Sequence, residues 1–198
     1  MKQKNIISFN GDHGSGKSTM AKRLAKDLGF KRYYMGKIFR NMAKEKGMSY
    51  AQFLDVLKTD PSYDKKIDDY VIELGKTKDN FIIESRTAWH FIPQSFKIYL
   101  QVDEKEGARR MFGDYQKDSS GRNNESTDVK TMKDILELSR RRRREDNKRY
   151  QKLYKINPDD LSHYDLVIDT TNLSKDEVFQ KIKEGVQKFL KQNEQQTD

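Results

Sequence analysis

The sequence predicts an α/β domain whose parallel sheet is covered by helices on both faces. Three observations predict it. Short runs that are apolar throughout alternate with longer stretches of helical periodicity, the pattern of buried parallel strands joined by crossover helices. The first apolar run ends in a glycine-studded turn that leads directly into a helix. Finally, 198 residues without an internal repeat or a linker-like stretch make one domain, large enough to bury a core without disulfides. That domain is expected over residues 1–190, with a flexible tail at 191–198.

The elements follow in order. Residues 5–10 (NIISFN) read as a strand. Residues 18–28 place Met20, Leu24 and Leu28 on one helical face, with Gly29 as C-cap. A short strand over 32–35 and a helix over 38–46, stopped by Gly47, come next. Ser49 is the N-cap candidate of a helix over 49–57. Pro61 opens another over 62–74, with Ile67, Tyr70, Val71 and Leu74 as its apolar stripe. Further strands are predicted over 80–84, 96–102 and 166–169. A helix is expected from 103 to about 116, a mobile polar loop over 117–127, a long basic helix over 128–154 and a terminal helix from 174 to about 190.

Composition narrows the function classes. The chain is 34% hydrophobic, 36% charged and 11% aromatic, polar for a globular protein yet too aromatic for a disordered one. With no Cys there is no disulfide scaffold, thiolate zinc site or Cys nucleophile. No apolar stretch approaches the roughly 20 residues of a membrane helix, and the run after Met1 is too short for a signal peptide. A cytoplasmic protein without a membrane partner is expected. The net charge is +9, and it is uneven: residues 1–46 hold 12 Lys/Arg against 3 acids, and residues 128–155 hold 11 against 5. Two basic segments therefore attract phosphates, whether of a polymer or of a small molecule.

Gly11-Asp12-His13-Gly14-Ser15-Gly16-Lys17-Ser18, continuing to Thr19, fits G-x-x-x-x-G-K-[ST] between a predicted strand and a predicted helix. Chance gives such a match in roughly one chain of this composition per hundred, before that context is required. Glycines let backbone N–H groups turn inward around a phosphate, and the helix N-terminus adds its dipole. Lys17 reaches the β and γ phosphates, and the Ser18 hydroxyl holds Mg²⁺. His13 lies within the loop where it could contact phosphate and is counted among the nucleotide-binding residues, with a solvent-facing side chain as the ordinary reading.

Other residues bear on the chemistry. Glu84 ends a strand beside the phosphate loop, where a carboxylate would bind water on Mg²⁺, and Arg86 would enter the same crevice; a surface turn is the competing reading. Arg40 follows Gly36 in the turn opening a helix. Arg142, Asp146 and Arg149 lie at i, i+4 and i+7 on the basic helix, with Arg143 as the alternative to Arg142. A solvated face is the ordinary reading of a charge run. Five consecutive arginines, 140–144, repel one another unless anions neutralise them. Such arginines suit phosphoryl transfer, which depends on positioning and charge neutralisation.

With these residues the sequence resembles nucleoside monophosphate kinases, most closely the short, archaeal-type cytidylate kinases. The resemblance rests on residues 11–19, 36–40, 84–86, 145–154 (EDNKRYQKLY) and 162–171 (SHYDLVIDTT). It implies a three-layer P-loop NTPase fold with a five-stranded parallel sheet, a helical monophosphate-binding arm at about 36–76 and a lid at about 110–150. It also implies that ATP with Mg²⁺ phosphorylates CMP or dCMP. By resemblance, Arg40 and Arg86 hold the acceptor, Arg142, Asp146 and Arg149 contact acceptor and transferred phosphate, and Arg110 lies against ATP. A monomer is expected. Ser85, where relatives usually carry Gly, and Lys37, where many carry an acid, depart from the pattern beside the acceptor pocket. A shikimate-type kinase would want paired acids after the second strand, and Tyr34-Met35-Gly36-Lys37 has none. A nucleic-acid-binding protein would interleave aromatics with the basic run, and this chain does not.

Overall fold

Five strands form one parallel sheet in the order β2-β3-β1-β4-β5 in the computed structural model, which describes residues 4–116 and 131–195. Strand β1 (Ile6–Gly11) lies at the centre because every one of its residues is buried. It pairs with β3 (Phe81–Glu84) in the register Ile6↔Phe81 to Phe9↔Glu84, and with β4 (Phe96–Gln101) from Ile7↔Phe96 to Gly11↔Leu100. The edges are β2 (Lys31–Tyr34) and β5 (Leu166–Asp169).

Alternation along the strands separates two cores. Ile7, Phe9, Ile82, Ile98 and Leu100 face one way, against Met20 and Leu24 of α1 (Lys17–Leu28) and Val178, Ile182 and Val186 of α8 (Lys175–Gln195). Ile6, Phe81 and Ile83 face the other, against Met35 of α2 (Met35–Glu45) and Ile67, Val71 and Leu74 of α4 (Ser62–Thr77). Between those helices α3 (Tyr50–Thr59) buries Phe53 and Leu57. The short α5 (Ala88–Phe91) follows β3, α6 (Glu104–Gln116) follows β4, and α7 (Met132–Tyr154) leads through a 3₁₀ turn (Leu161–His163) to β5.

Each predicted strand and helix has its counterpart, with differences at the ends. Met35, expected to close β2, opens α2, which begins three residues earlier than expected; the Gly36–Arg40 turn is the helix's own first turns. Ser49 caps α3 through a full capping box with Gln52. Thr131 and Asp134 form a second one, so the described start of the basic helix is Met132, while the predicted polar loop at 117–127 falls outside the described residues. Helix α8 continues through residues 191–195, where a flexible tail was expected. Asn193 explains the extension: it is buried and donates its amide to the Lys4 carbonyl (3.4 Å) and Asn5 Oδ1 (3.0 Å). Helix α5 and the 3₁₀ turn escape the sequence pattern because each is about one turn long. No helix among the described residues is long and apolar enough to cross a membrane.

Candidate active site

The phosphate loop leaves β1 at Gly11 and enters α1 at Gly16, whose left-handed backbone (φ 85°) stands before Lys17. Gly14 also has positive φ (78°), and a Cβ there would lie 2.3 Å from the Gly107 carbonyl oxygen. Only glycine meets both demands, so the loop rests directly on the backbone of α6. The Lys17 ammonium folds back on the loop, donating to the carbonyls of Gly11 (2.7 Å) and Asp12.

Asp12 is anchored away from the cleft. It accepts from Tyr99 Oη (3.0 Å) and Val102 N (3.0 Å) and pairs with Arg143 (3.0 Å). Burial and the Asp12 charge hold the Tyr99 hydroxyl well above the usual phenol range, keeping it a donor. Arg143 and Asn147 also donate to Asp159; burial raises that carboxyl, but these bonds outweigh it and hold it below the ordinary range.

His13 departs from the expected solvent-facing position. Its Nε2 lies 2.6 Å from Arg86 Nη2 and its Nδ1 lies 2.8 Å from Ser139 Oγ on α7. The partners lie 73 and 126 residues away, beyond the reach of a local sequence pattern.

Glu84 and Ser18 meet as expected. The Ser18 hydroxyl donates to Glu84 Oε2 (2.7 Å), and Arg32 closes on Glu84 Oε1 (2.6 Å), a partner the sequence did not suggest. Glu84 is therefore a buried paired carboxylate and not a surface turn. Among the described residues no cluster of three or more His, Asp or Glu could hold a metal ion. One hydroxyl and one carboxylate suit Mg²⁺ that arrives on a nucleotide and keeps its other oxygen ligands.

The same cleft, of about 850 Å³, is lined by the loop, Arg40, Tyr50, Asp68, Ser85, Arg86, Arg110, Arg142, Asp146, Arg149 and Thr170. Arg40 donates to Tyr34 Oη (2.9 Å) and the Gly36 carbonyl (3.0 Å). Arg86 donates to the Gly11 carbonyl (3.0 Å) and sits 3.5 Å from Asp146. The Arg142 guanidinium lies over the Tyr50 ring at 4.9 Å, in the cleft, whereas Arg143 turns away to Asp12 and Asp159. Arg110 donates to the carbonyls of Thr170 (2.8 Å) and Thr171 (3.1 Å) at the end of β5.

Arg149 is nearly enclosed, its side chain 9% exposed, and pairs with Asp64 (2.9 Å) and Asp146 (2.9 Å). Asp64 and Asp68, one turn apart on α4, were missed by the sequence reading. The available signal was a pair of acids flanking Ile67 on an apolar stripe. Burial lifts the Asp64 carboxyl to about 6 against the pull of Arg149. Burial also raises Asp68, which accepts from Thr87 Oγ1 (2.7 Å) and Tyr154 Oη.

The AAA domain family matches residues 7–130. A cytidylate kinase of Pyrococcus abyssi is 37% identical over 182 residues, covering 91% of this chain and 93% of that protein. One from Methanopyrus kandleri is 33% identical over 201 residues, covering 96% of each. Among solved structures, an uncharacterized protein from Eubacterium ventriosum superposes with TM-score 0.64 at 16% identity, covering 92% of this chain and 98% of that one. A shikimate kinase from Bacteroides thetaiotaomicron superposes with TM-score 0.57 at 12% identity, covering 96% and 98%. The structural likenesses establish the fold alone. Identity above 30% along nearly the whole length does more: this chain, built on an AAA-type P-loop domain, belongs to the cytidylate kinase family.

Proposed function

We propose that this protein transfers the γ-phosphoryl group of ATP to CMP or dCMP, giving ADP and the pyrimidine nucleoside diphosphate. One observation carries the reading beyond family membership: the phosphate loop and the side chains of Arg40, Arg86 and Arg142 border a single cleft. A donor triphosphate and an acceptor monophosphate placed end to end need such a row of cations.

The loop N–H groups and the α1 N-terminus receive the donor phosphates. Lys17 exchanges its carbonyl partners for phosphate oxygens, and Arg110, beside Thr170, borders the donor nucleotide. Arg40 and Arg86 hold the acceptor phosphate, while Arg142 neutralises charge on the group in transfer. Asp146 keeps Arg86 and Arg149 in place. Bound Mg²⁺, held by Ser18 and, through water, by Glu84, would screen the phosphate charges. An acceptor phosphate is already an anion, so no general base is required. Helices α2–α4 serve as the monophosphate arm and α6–α7 as the lid, in a protein that acts as a monomer.

A coupled assay of CMP, dCMP, UMP, AMP and GMP with ATP tests the reading. Turnover of CMP or dCMP above the others is expected. Turnover of none would reject the kinase, and preference for AMP would reject only the base assignment. Gel filtration at assay concentration checks the monomer.

A further inference from the structure

The imidazole of His13 joins the phosphate loop to the segment after β3, through Arg86, and to the lid helix α7, through Ser139. Its bonding roles follow from its partners. A guanidinium has only donors, so the 2.6 Å contact with Arg86 makes His13 Nε2 an acceptor. The proton of the neutral ring is then on Nδ1, which donates to Ser139 Oγ at 2.8 Å. The ring takes a hydrogen bond from Arg86 and passes one to α7.

The backbone beneath the ring is fixed as well. A Cβ on Gly107 would lie 2.6 Å from the His13 carbonyl oxygen, so α6 presses on this residue and limits its movement. The neighbouring Asp12 reaches α7, the helix that carries Ser139, through Arg143. Ser139 and Arg143 are four residues apart, on one face of α7. Two adjacent residues of the phosphate loop thus grip two successive turns of the lid helix, and one of them also grips Arg86.

We propose that His13 is a positioning residue for the acceptor: its Nε2 aims the Arg86 guanidinium at the acceptor monophosphate, and its Nδ1–H ties that aim to α7 through Ser139. The proposal rests on the assignment of Arg86 to the acceptor phosphate. It moves His13 from the donor side, where its place in the loop would put it, to the acceptor side. No phosphate contact of its own is required.

Initial-rate kinetics on the full-length protein, varying CMP at saturating ATP and then the reverse, test this in the wild type and in His13→Ala, His13→Gln, His13→Lys and Ser139→Ala. In His13→Ala the KM for CMP should rise roughly tenfold or more, the weight of one hydrogen bond to a charged group. The KM for ATP should stay within about twofold, as expected for a contact confined to the acceptor side. His13→Gln keeps a carbonyl acceptor for Arg86 and should recover most of the loss. His13→Lys puts a donor and a charge against Arg86 and should not. Ser139→Ala frees only the outer end and should give a smaller rise of the same kind. If His13→Ala does not fold, the Gln and Lys variants decide between them. Equal rises in both KM values, a rise for ATP alone, an unchanged KM for CMP, or Gln behaving like Lys would each overturn the proposal. A wild type that phosphorylates no monophosphate would instead remove the reading on which it rests.

Discussion

Lys17 rests on the Gly11 and Asp12 carbonyls, neutral partners that a charged phosphate oxygen displaces readily. Lys17→Ala should therefore lower kcat by roughly a hundredfold or more while the melting temperature shifts by only a few degrees. Rate and thermal melt on the same preparation check it. Asp64 makes the opposite kind of prediction, about folding. Its carboxyl titrates near 3.8 in the unfolded chain and is raised by burial to about 6 in the folded one. The folded protein thus holds the proton more tightly. The stability this contributes is complete below about pH 4 and is lost as pH rises through about 6. Asp64→Asn cannot ionise, so its melting temperature should fall less than that of the wild type between pH 4 and 6.5. Parallel curves would show that the neighbouring Arg149 cancels the effect of burial on this carboxyl. The loop lysine was legible in the sequence because its partners are contiguous in the chain. Asp64 was not, since its cation lies 85 residues away.

Among the elements, α6 is placed by contact of backbone on backbone. Gly107 and Gly14 approach so closely that a Cβ on Gly107 would meet the His13 carbonyl oxygen at 2.6 Å. Gly107→Ala raises intrinsic helix propensity by up to about 1 kcal/mol yet must push α6 off the phosphate loop. Activity should fall at least tenfold while α6 remains helical, measured by turnover and circular dichroism. Full activity would mean that the loop moves freely beneath the helix. The strands were legible because a central parallel strand carries apolar residues on both faces, as β1 does with Ile6, Ile7 and Phe9 and β3 with Phe81, Ile82 and Ile83. The end of α8 was not, because what holds it is a buried polar side chain. Asn193 ties the last helix to the chain before β1, so Asn193→Ala should lower the melting temperature by several degrees, the effect of about 1–2 kcal/mol in a domain of this size. An unchanged melt would make that contact incidental.

Across the whole molecule the +9 charge resolves into two populations. Arginines gather in the cleft, and carboxylates already meet Arg86, through Asp146, and Arg149, through Asp64 and Asp146. Lysines, 27 against 13 arginines, make up most of the cationic surface. Helices α3 and α7 also touch through solvent-accessible pairs, Arg141 with Asp55 at 3.2 Å and Lys58 with Glu145 at 3.7 Å, each of small net effect in water. The excess charge is therefore long-range and open to screening, and it acts on substrates before they bind. Salt shortens its reach to about 8 Å at physiological ionic strength. A monophosphate and a Mg²⁺-bound triphosphate each carry a charge of roughly −2. Raising KCl from 50 to 300 mM should lower kcat/KM for ATP and for CMP by a similar, several-fold factor and leave kcat nearly unchanged, because chemistry inside the cleft is shielded. Steady-state rates at the two salt concentrations decide this. A steeper loss for CMP than for ATP would place the effective charge on the acceptor arm, and a fall in kcat of equal size would place it in the transfer step itself.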